Sequence, residues 1–400
     1  MTRPKQSRAH TLPPTAPLSQ QVGGHAGVQV TEDGSLLLKP ALPREIAFYQ
    51  SVRDITDVST GLHRLKDWIP KFFGLLSLEG KLADPTAEID MGTVPAIIPA
   101  PGMEGSGNVD NTNGTATSDM PGQTLVLQNL LYGYRKPCIL DVKLGTVLYD
   151  EDASEEKKAR MIEKAAESTT LTTGIRLTGF QVYSNRSPDP IVYGKAYGYS
   201  LKPEQFREGI ENCFPCSIST SATNSGLAAS SSSTPGIGLP ADTLLTLLTA
   251  LLGALTDLRE CLAGVHVRMV GGSVLIIYEG DWERAAAASG YGGGPGDVEV
   301  ESGEEEDQIE VEVDEQGEIV VESIPGETFE ASSEGSSIDQ RPRLYTISLI
   351  DFAHTRVVPG GGPDQGVLMG MDTLIRLVDH RKQEVAALIE VEKSGDRTTD

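Results

Sequence analysis

The chain has 400 residues, a formal net charge of −24 and 38% hydrophobic residues, enough for one large or two medium domains with a real core. The charge is uneven: residues 297–334 hold 16 acidic residues and no Lys or Arg, two thirds of the whole excess. What remains is only mildly acidic, which argues against a broad basic face for direct nucleic-acid binding.

Residues 1–17 read as a polar, Pro-rich tail without the apolar stretch of a secretory signal. An N-terminal lobe is expected over 18–131. Within it, Val28–Leu38 reads as a hairpin turning at Glu32-Asp33-Gly34, Glu45–Val52 and Ser59–Trp68 as short helices, and Thr124–Asn129 as a strand. Residues 84–122, rich in Pro, Gly, Asn and Thr, interrupt it as a disordered insert. A C-terminal lobe follows over 132–382. Pro137–Gly145 reads as a strand and Ser154–Glu167 as a charged helix. Cys213-Phe-Pro-Cys216 has redox or half-zinc-site spacing, but no second ligand pair accompanies it, and with Cys138 and Cys261 it is expected to stay reduced. In Ala241–Leu258 the leucines at 244, 248, 251, 255 and 258 keep helical spacing between polar residues, which describes a core helix and no membrane span. Ser273–Tyr278 and Leu344–Phe352 are apolar strands. Residues 217–240 and the acidic 283–342 read as further disordered inserts, and 383–400 as a C-terminal tail. The fold class is therefore mixed α/β, of the α+β kind, in two lobes.

Two clusters carry chemistry suited to phosphoryl transfer, which needs held phosphates, a cation at the transferring group and a carboxylate at the acceptor hydroxyl. Asp141 and Lys143 are two apart on a strand, so both project from one face while Leu140, Val142 and Leu144 pack behind it. Alone, that spacing would equally serve a simple ion pair. The second cluster is Ile347-Ser-Leu-Ile-Asp351-Phe-Ala-His354, an apolar strand delivering an acid at its end. Lys157, Arg160 and Lys164 share one face of the charged helix and can converge on an anion, or form a solvated surface.

Pro137-x-x-x-Asp141-x-Lys143-x-Gly145 is the signature of the inositol polyphosphate kinase family, and Asp351-Phe-Ala-His354 resembles its metal motif. The likeness extends to Gly23–Gly27, Asp33-Gly34, Lys39-Pro40 and Glu45–Tyr49, and to Gly272-Ser273-Val-Leu275, where the family usually has Ser-Ser-Leu-Leu. Within the family, Leu127–Gly145 and Asp152–Lys157 look most like the fungal multikinases. The resemblance implies a two-lobed fold distantly like protein kinases, with ATP and Mg2+ as cofactors. It implies ATP contacts from Lys39, Gln128, Asn129, Leu130 and Asp351, with Asp351 as metal ligand and the Asn129 side chain able to reach ribose. Asp141, Lys143 and Asp351 would act in catalysis. Lys143, Lys157, Arg160, Lys164 and His354 would meet the inositol polyphosphate, His354 alternatively steadying its loop. Inositol 1,4,5-trisphosphate is the expected substrate, taken to tetrakis- and pentakisphosphates. A hexakisphosphate kinase, a trisphosphate 3-kinase, or a scaffold that binds transcription factors of arginine metabolism through the acidic insert are the alternatives. Nucleus and cytoplasm are the compartments the likeness implies.

Overall fold

The computed structural model describes residues 14–18, 27–77, 123–217, 237–290, 309–313, 319–323 and 342–396. The glycine-rich stretch at 23–26 and most of the expected inserts lie outside them.

The N-terminal lobe is a five-stranded antiparallel sheet of β1 (Thr15–Pro17), β2 (Gln29–Thr31), β3 (Leu36–Pro40), β4 (Phe72–Ser77) and β5 (Gln123–Gln128), in the order β1-β2-β3-β5-β4. The β2–β3 turn falls at Glu32-Asp33-Gly34, where Gly34 takes a φ of 78°, a left-handed conformation that glycine adopts without strain. Between β3 and β4 run α1 (Pro43–Arg53), α2 (Gly61–Arg64) and a 3-10 turn at Leu65–Trp68. Pro43 starts α1 with its φ already set for a helix, and Ile46, Phe48, Tyr49 and Val52 form the buried face.

The C-terminal lobe begins with β6 (Pro137–Leu144) and α3 (Glu155–Glu167), capped by the Ser154 side chain accepting from the Lys157 N–H. Next come α4 (Thr170–Thr173), β7 (Ile175–Val182), β8 (Ile191–Tyr193), α5 (Lys195–Ser200), α6 (Phe206–Cys213) and the paired β9 (Cys216–Ser217) and β10 (Leu239–Pro240). Then follow α7 (Ala241–Ala263), β11 (Val267–Met269), β12 (Ser273–Glu279), α8 (Trp282–Ser289), β13 (Ile309–Val313), β14 (Ile319–Ser323), β15 (Tyr345–Ile350), β16 (Thr355–Val357) and α9 (Gln365–Asp396). The main sheet is antiparallel, in the order β15-β12-β6-β7-β8. Helix α7 packs along α9 beneath it. Among the described residues α7 is the one helix long and apolar enough to cross a membrane, yet Leu244, Leu248, Leu251, Leu255 and Leu258 are all buried in the lobe's core.

The chain departs from the expected boundaries in three places. Helix α8 occupies the start of the expected 283–342 insert, because Ala285 and Ala288 are buried and the Trp282 Nε1–H donates to the Gly238 carbonyl. Inside the acidic stretch, β13 and β14 pair as a hairpin, with β13 running beside β4. The expected tail from 383 is the second half of α9, held by Val385 and Ile389 in the core.

Candidate active site

Strand β6 is central in its sheet, so Leu140, Val142 and Leu144 bury one face completely and leave Asp141 and Lys143 on the other. The two do not pair with each other. Lys143 Nζ instead lies 2.6 Å from Asp351 Oδ2, and Lys39 Nζ from β3 lies 3.0 Å from Asp351 Oδ1. One carboxylate thus holds two lysines, one from each lobe. Burial alone would push Asp351 up; the ammonium groups of Lys143 and Lys39 override it and hold the carboxyl well below the usual range. Asp351 sits just past β15 with a φ of 67°, the one non-glycine residue described with positive φ. A backbone outlier at the meeting point of three charges marks a position held by its surroundings for function.

Glu45, on α1, was not singled out by the sequence reading. Its Oε1 accepts from Lys39 Nζ at 2.7 Å and from the Phe352 N–H at 3.1 Å. The same carboxylate therefore fixes the lysine and the backbone beside Asp351. Phe352 stacks on Phe48 of α1 at 4.2 Å and meets Tyr49 edge-on at 5.5 Å. The available signal was a lysine on a strand followed, six residues on, by an acid within an apolar helix. Desolvation opposes charge on Lys39, but Asp351 and Glu45 raise its pKa above the ordinary value.

Asp141 is 3% exposed, and its Oδ1 has no hydrogen-bond partner. Burial raises its pKa against the pull of Lys143. The Ser273 hydroxyl is near enough to favour the ionised form, but the pair misses hydrogen-bond geometry and Ser273 Oγ is itself unpartnered. An orphaned carboxylate oxygen beside a lysine is what a general base for an acceptor hydroxyl needs.

Lys157, Arg160 and Lys164 lie exposed along α3, whose only buried residue is Ala165. None forms an ion pair among the described residues, whereas Lys158 is held by Glu155 at 2.9 Å. His354 Nδ1 sits 2.6 Å from Asp150 Oδ2, and Asp150 also binds Arg44 of α1 at 3.1 Å. The structure thus places His354 in the bridge that steadies the loop.

Gln128 ends β5, and Asn129 and Leu130 begin the connection to β6. The Asn129 side chain is committed internally: its amide donates to the Gly34 carbonyl at 2.7 Å and its oxygen accepts from the Leu131 N–H at 3.1 Å. It pins the β2–β3 turn to this connection, and the expectation that it reaches ribose is corrected accordingly. Cys213 and Cys216 are buried free thiols; burial pushes Cys216 up to about 11 and Cys213 well above its ordinary range, so neither is poised for redox work. A separate cavity of about 730 Å³ lies between α4, α6 and α9, and none of the clustered residues lines it.

The inositol polyphosphate kinase family model matches residues 124–379, more than half of the sequence. The chain belongs to that family. Inositol polyphosphate multikinase of Saccharomyces cerevisiae is 29% identical over 90% of this chain and 96% of its own length. Inositol hexakisphosphate kinase 3 of mouse is 29% identical over 64% of this chain, which spans half of that protein. The crystal structure of the S. cerevisiae multikinase Ipk2 in complex with ADP and Mn2+ superposes with a TM-score of 0.51 at 25% identity, over 87% of this chain and 99% of that one. The chain is thus a kinase by family and has that family's mixed helix-and-sheet fold.

The described residues offer no cluster of three His, Cys, Asp or Glu for a metal. A hard divalent ion carried largely by nucleotide phosphates needs one or two protein carboxylates and otherwise takes phosphate oxygens and water. Asp351, ionised and between two lysines, fits the protein's share.

Proposed function

We propose that this kinase transfers the γ-phosphate of ATP, with Mg2+, to hydroxyls of inositol 1,4,5-trisphosphate, forming tetrakis- and pentakisphosphates. The observation that carries the reading is the Lys39–Asp351–Lys143 bridge beside the unpartnered carboxylate of Asp141. Asp351 would hold the metal, which when bound would neutralise charge on the nucleotide phosphates. Lys39, oriented by Glu45, binds those phosphates, and Lys143 follows the transferring group. Asp141 accepts the acceptor hydroxyl's proton on its orphaned oxygen. The exposed cations of α3 hold the phosphates already on the ring. Near full-length similarity to the S. cerevisiae multikinase favours several successive transfers over one.

The test is incubation with ATP, Mg2+ and inositol 1,4,5-trisphosphate, with products resolved by anion exchange. Tetrakis- and pentakisphosphate peaks are expected, and none from Asp141→Asn. Turnover of the hexakisphosphate alone would move the chain to another branch of the family. A second reading, a nuclear and cytoplasmic scaffold for transcription factors, draws on the acidic charge concentrated in residues 297–334. Deleting residues 291–341 should then abolish capture of a basic partner and spare turnover.

A further inference from the structure

Arg176 has no part in the machinery described so far. It lies on β7 directly opposite Lys143, in a row that crosses four strands: Ile350, Ser273, Lys143, Arg176. Directly opposed residues of antiparallel strands project to the same face, so Arg176 shares the face of Asp141 and Lys143. Asp351 and Lys39 approach Lys143 from the β15 side, where the nucleotide belongs. Arg176 flanks it on the β7 side, towards α3.

The surroundings of Arg176 are unusual for a structural arginine. Its Cζ lies 5.0 Å from the centre of the Tyr199 ring, and Lys164 Nζ lies 5.9 Å from the same ring. Nη1 makes one long hydrogen bond, 3.4 Å, to Thr170 Oγ1, while Nε is buried without a partner. No carboxylate pairs with it among the described residues. A guanidinium resting on an aromatic ring keeps its N–H edge available, and that edge matches a phosphate in fork geometry.

The neighbouring backbone sharpens the point. The β6–β7 ladder slips between Asp141 and Val142, leaving Thr178 as the extra residue of a bulge. Bulges re-aim side chains beside active sites. Five buried side-chain atoms lack partners among the described residues, and Asp141 Oδ1, Ser273 Oγ, Arg176 Nε and Thr178 Oγ1 are four of them. All four belong to three adjacent strands around Lys143. Gly198 brings the ring into place: a Cβ there would stand 1.8 Å from the Leu177 carbonyl oxygen, so α5 rests directly on β7 and sets Tyr199 over Arg176.

We propose that Arg176 is a phosphate-binding residue of the acceptor site, with Tyr199 fixing its plane and Lys164 supplying the second charge. This rests on the inositol polyphosphate reading given above. The subsite takes a phosphomonoester already on the ring, on the far side of Lys143 from the nucleotide.

Steady-state kinetics and calorimetric titration with inositol 1,4,5-trisphosphate test it in wild type, Arg176→Gln, Arg176→Lys and Tyr199→Ala. In Arg176→Gln the KM for the trisphosphate should rise about tenfold or more, with the KM for ATP and the melting temperature unchanged. Arg176→Lys should recover part of the loss, because the charge returns without the fork. Tyr199→Ala should raise the same KM by a smaller factor. Wild-type acceptor affinity in Arg176→Gln overturns the proposal and leaves the function standing. So does a parallel rise in both KM values together with a melting loss that Arg176→Lys shares, which would make Arg176 structural. Wild-type protein that neither binds nor turns over the trisphosphate overturns the acceptor reading itself, and the subsite with it.

Discussion

At the scale of single residues, Asp141 and Glu45 carry opposite energetic signs. An acid whose pKa folding raises costs stability above its ordinary range and nothing well below it. Burial raises Asp141, so its ionised form is a standing cost of the unliganded fold at neutral pH. Asp141→Asn should therefore abolish turnover yet melt higher than wild type at pH 7, by ~2–4 °C for each kcal/mol recovered, with the gap closing near pH ~4. Thermal melts at the two pH values check it. Glu45 stabilises through its contacts. It is 1% exposed and shared by Lys39 and Phe352 N–H, so Glu45→Ala leaves a buried ammonium half-paired and should cost about 3–5 kcal/mol in denaturant unfolding. The milder Glu45→Gln should keep the fold and lower kcat about ten- to a hundredfold, through misplacement of Lys39. Asp141 and Lys143 were legible in the sequence because strand periodicity and a nine-residue motif place them, and Asp351 because it ends an apolar strand. Glu45 and Arg176 were not, since their roles come from register between distant strands and from the approach of α1 to β15. Asn129 misled because its type suits a ribose contact, whereas its amide nitrogen is taken by a turn 95 residues earlier and its oxygen by the Leu131 N–H.

At the scale of elements, α3 is held by its ends more than by its face. Only Ala165 is buried, and Ile162 is about half exposed. Charge on this helix is thus separable from stability. Replacing Lys157, Arg160 and Lys164 together by Gln should raise the acceptor KM at least tenfold, leave the KM for ATP alone and shift the melting temperature little; kinetics with varied acceptor decide it. Core elements were read from sequence wherever one period dominated: the α7 leucines, the β6 run and the β2–β3 turn all fall as expected. Strand β7 and the second half of α9 escaped that reading. Polar Arg176, Thr178 and Gln181 break the apolar pattern of β7: a bulge interrupts its register at Thr178, and Gln181 is buried with its amide donating to the Pro137 carbonyl. The polar positions of α9 hide buried Val385 and Ile389 until α7 and α6 are packed against it.

At the scale of the whole molecule, the lobes are joined by chemistry as well as by chain. Lys39 to Asp351, Glu45 to Phe352, and Arg44 to Asp150 and Asp152 each cross between them. The lobes cannot part without breaking the bridge that organises transfer. These polar contacts lie beside an apolar seam in which Phe48 and Tyr49 of α1 pack on Phe352, so both kinds of contact hold the lobes together.

The acidic stretch at 297–334 has a kinetic consequence. The catalyst is a net anion whose substrate and product are also anions, and each transfer makes the product more negative than what entered. At ~0.15 M salt the repulsion fades beyond roughly 8 Å. At ~0.01 M it reaches about 30 Å and slows every encounter. Removing residues 291–341 should therefore speed acceptor association more at ~0.01 M than at ~0.15 M, as stopped-flow measurements on the two proteins would show. By the same reasoning, the deletion variant should release its product more slowly than the intact chain at ~0.01 M salt.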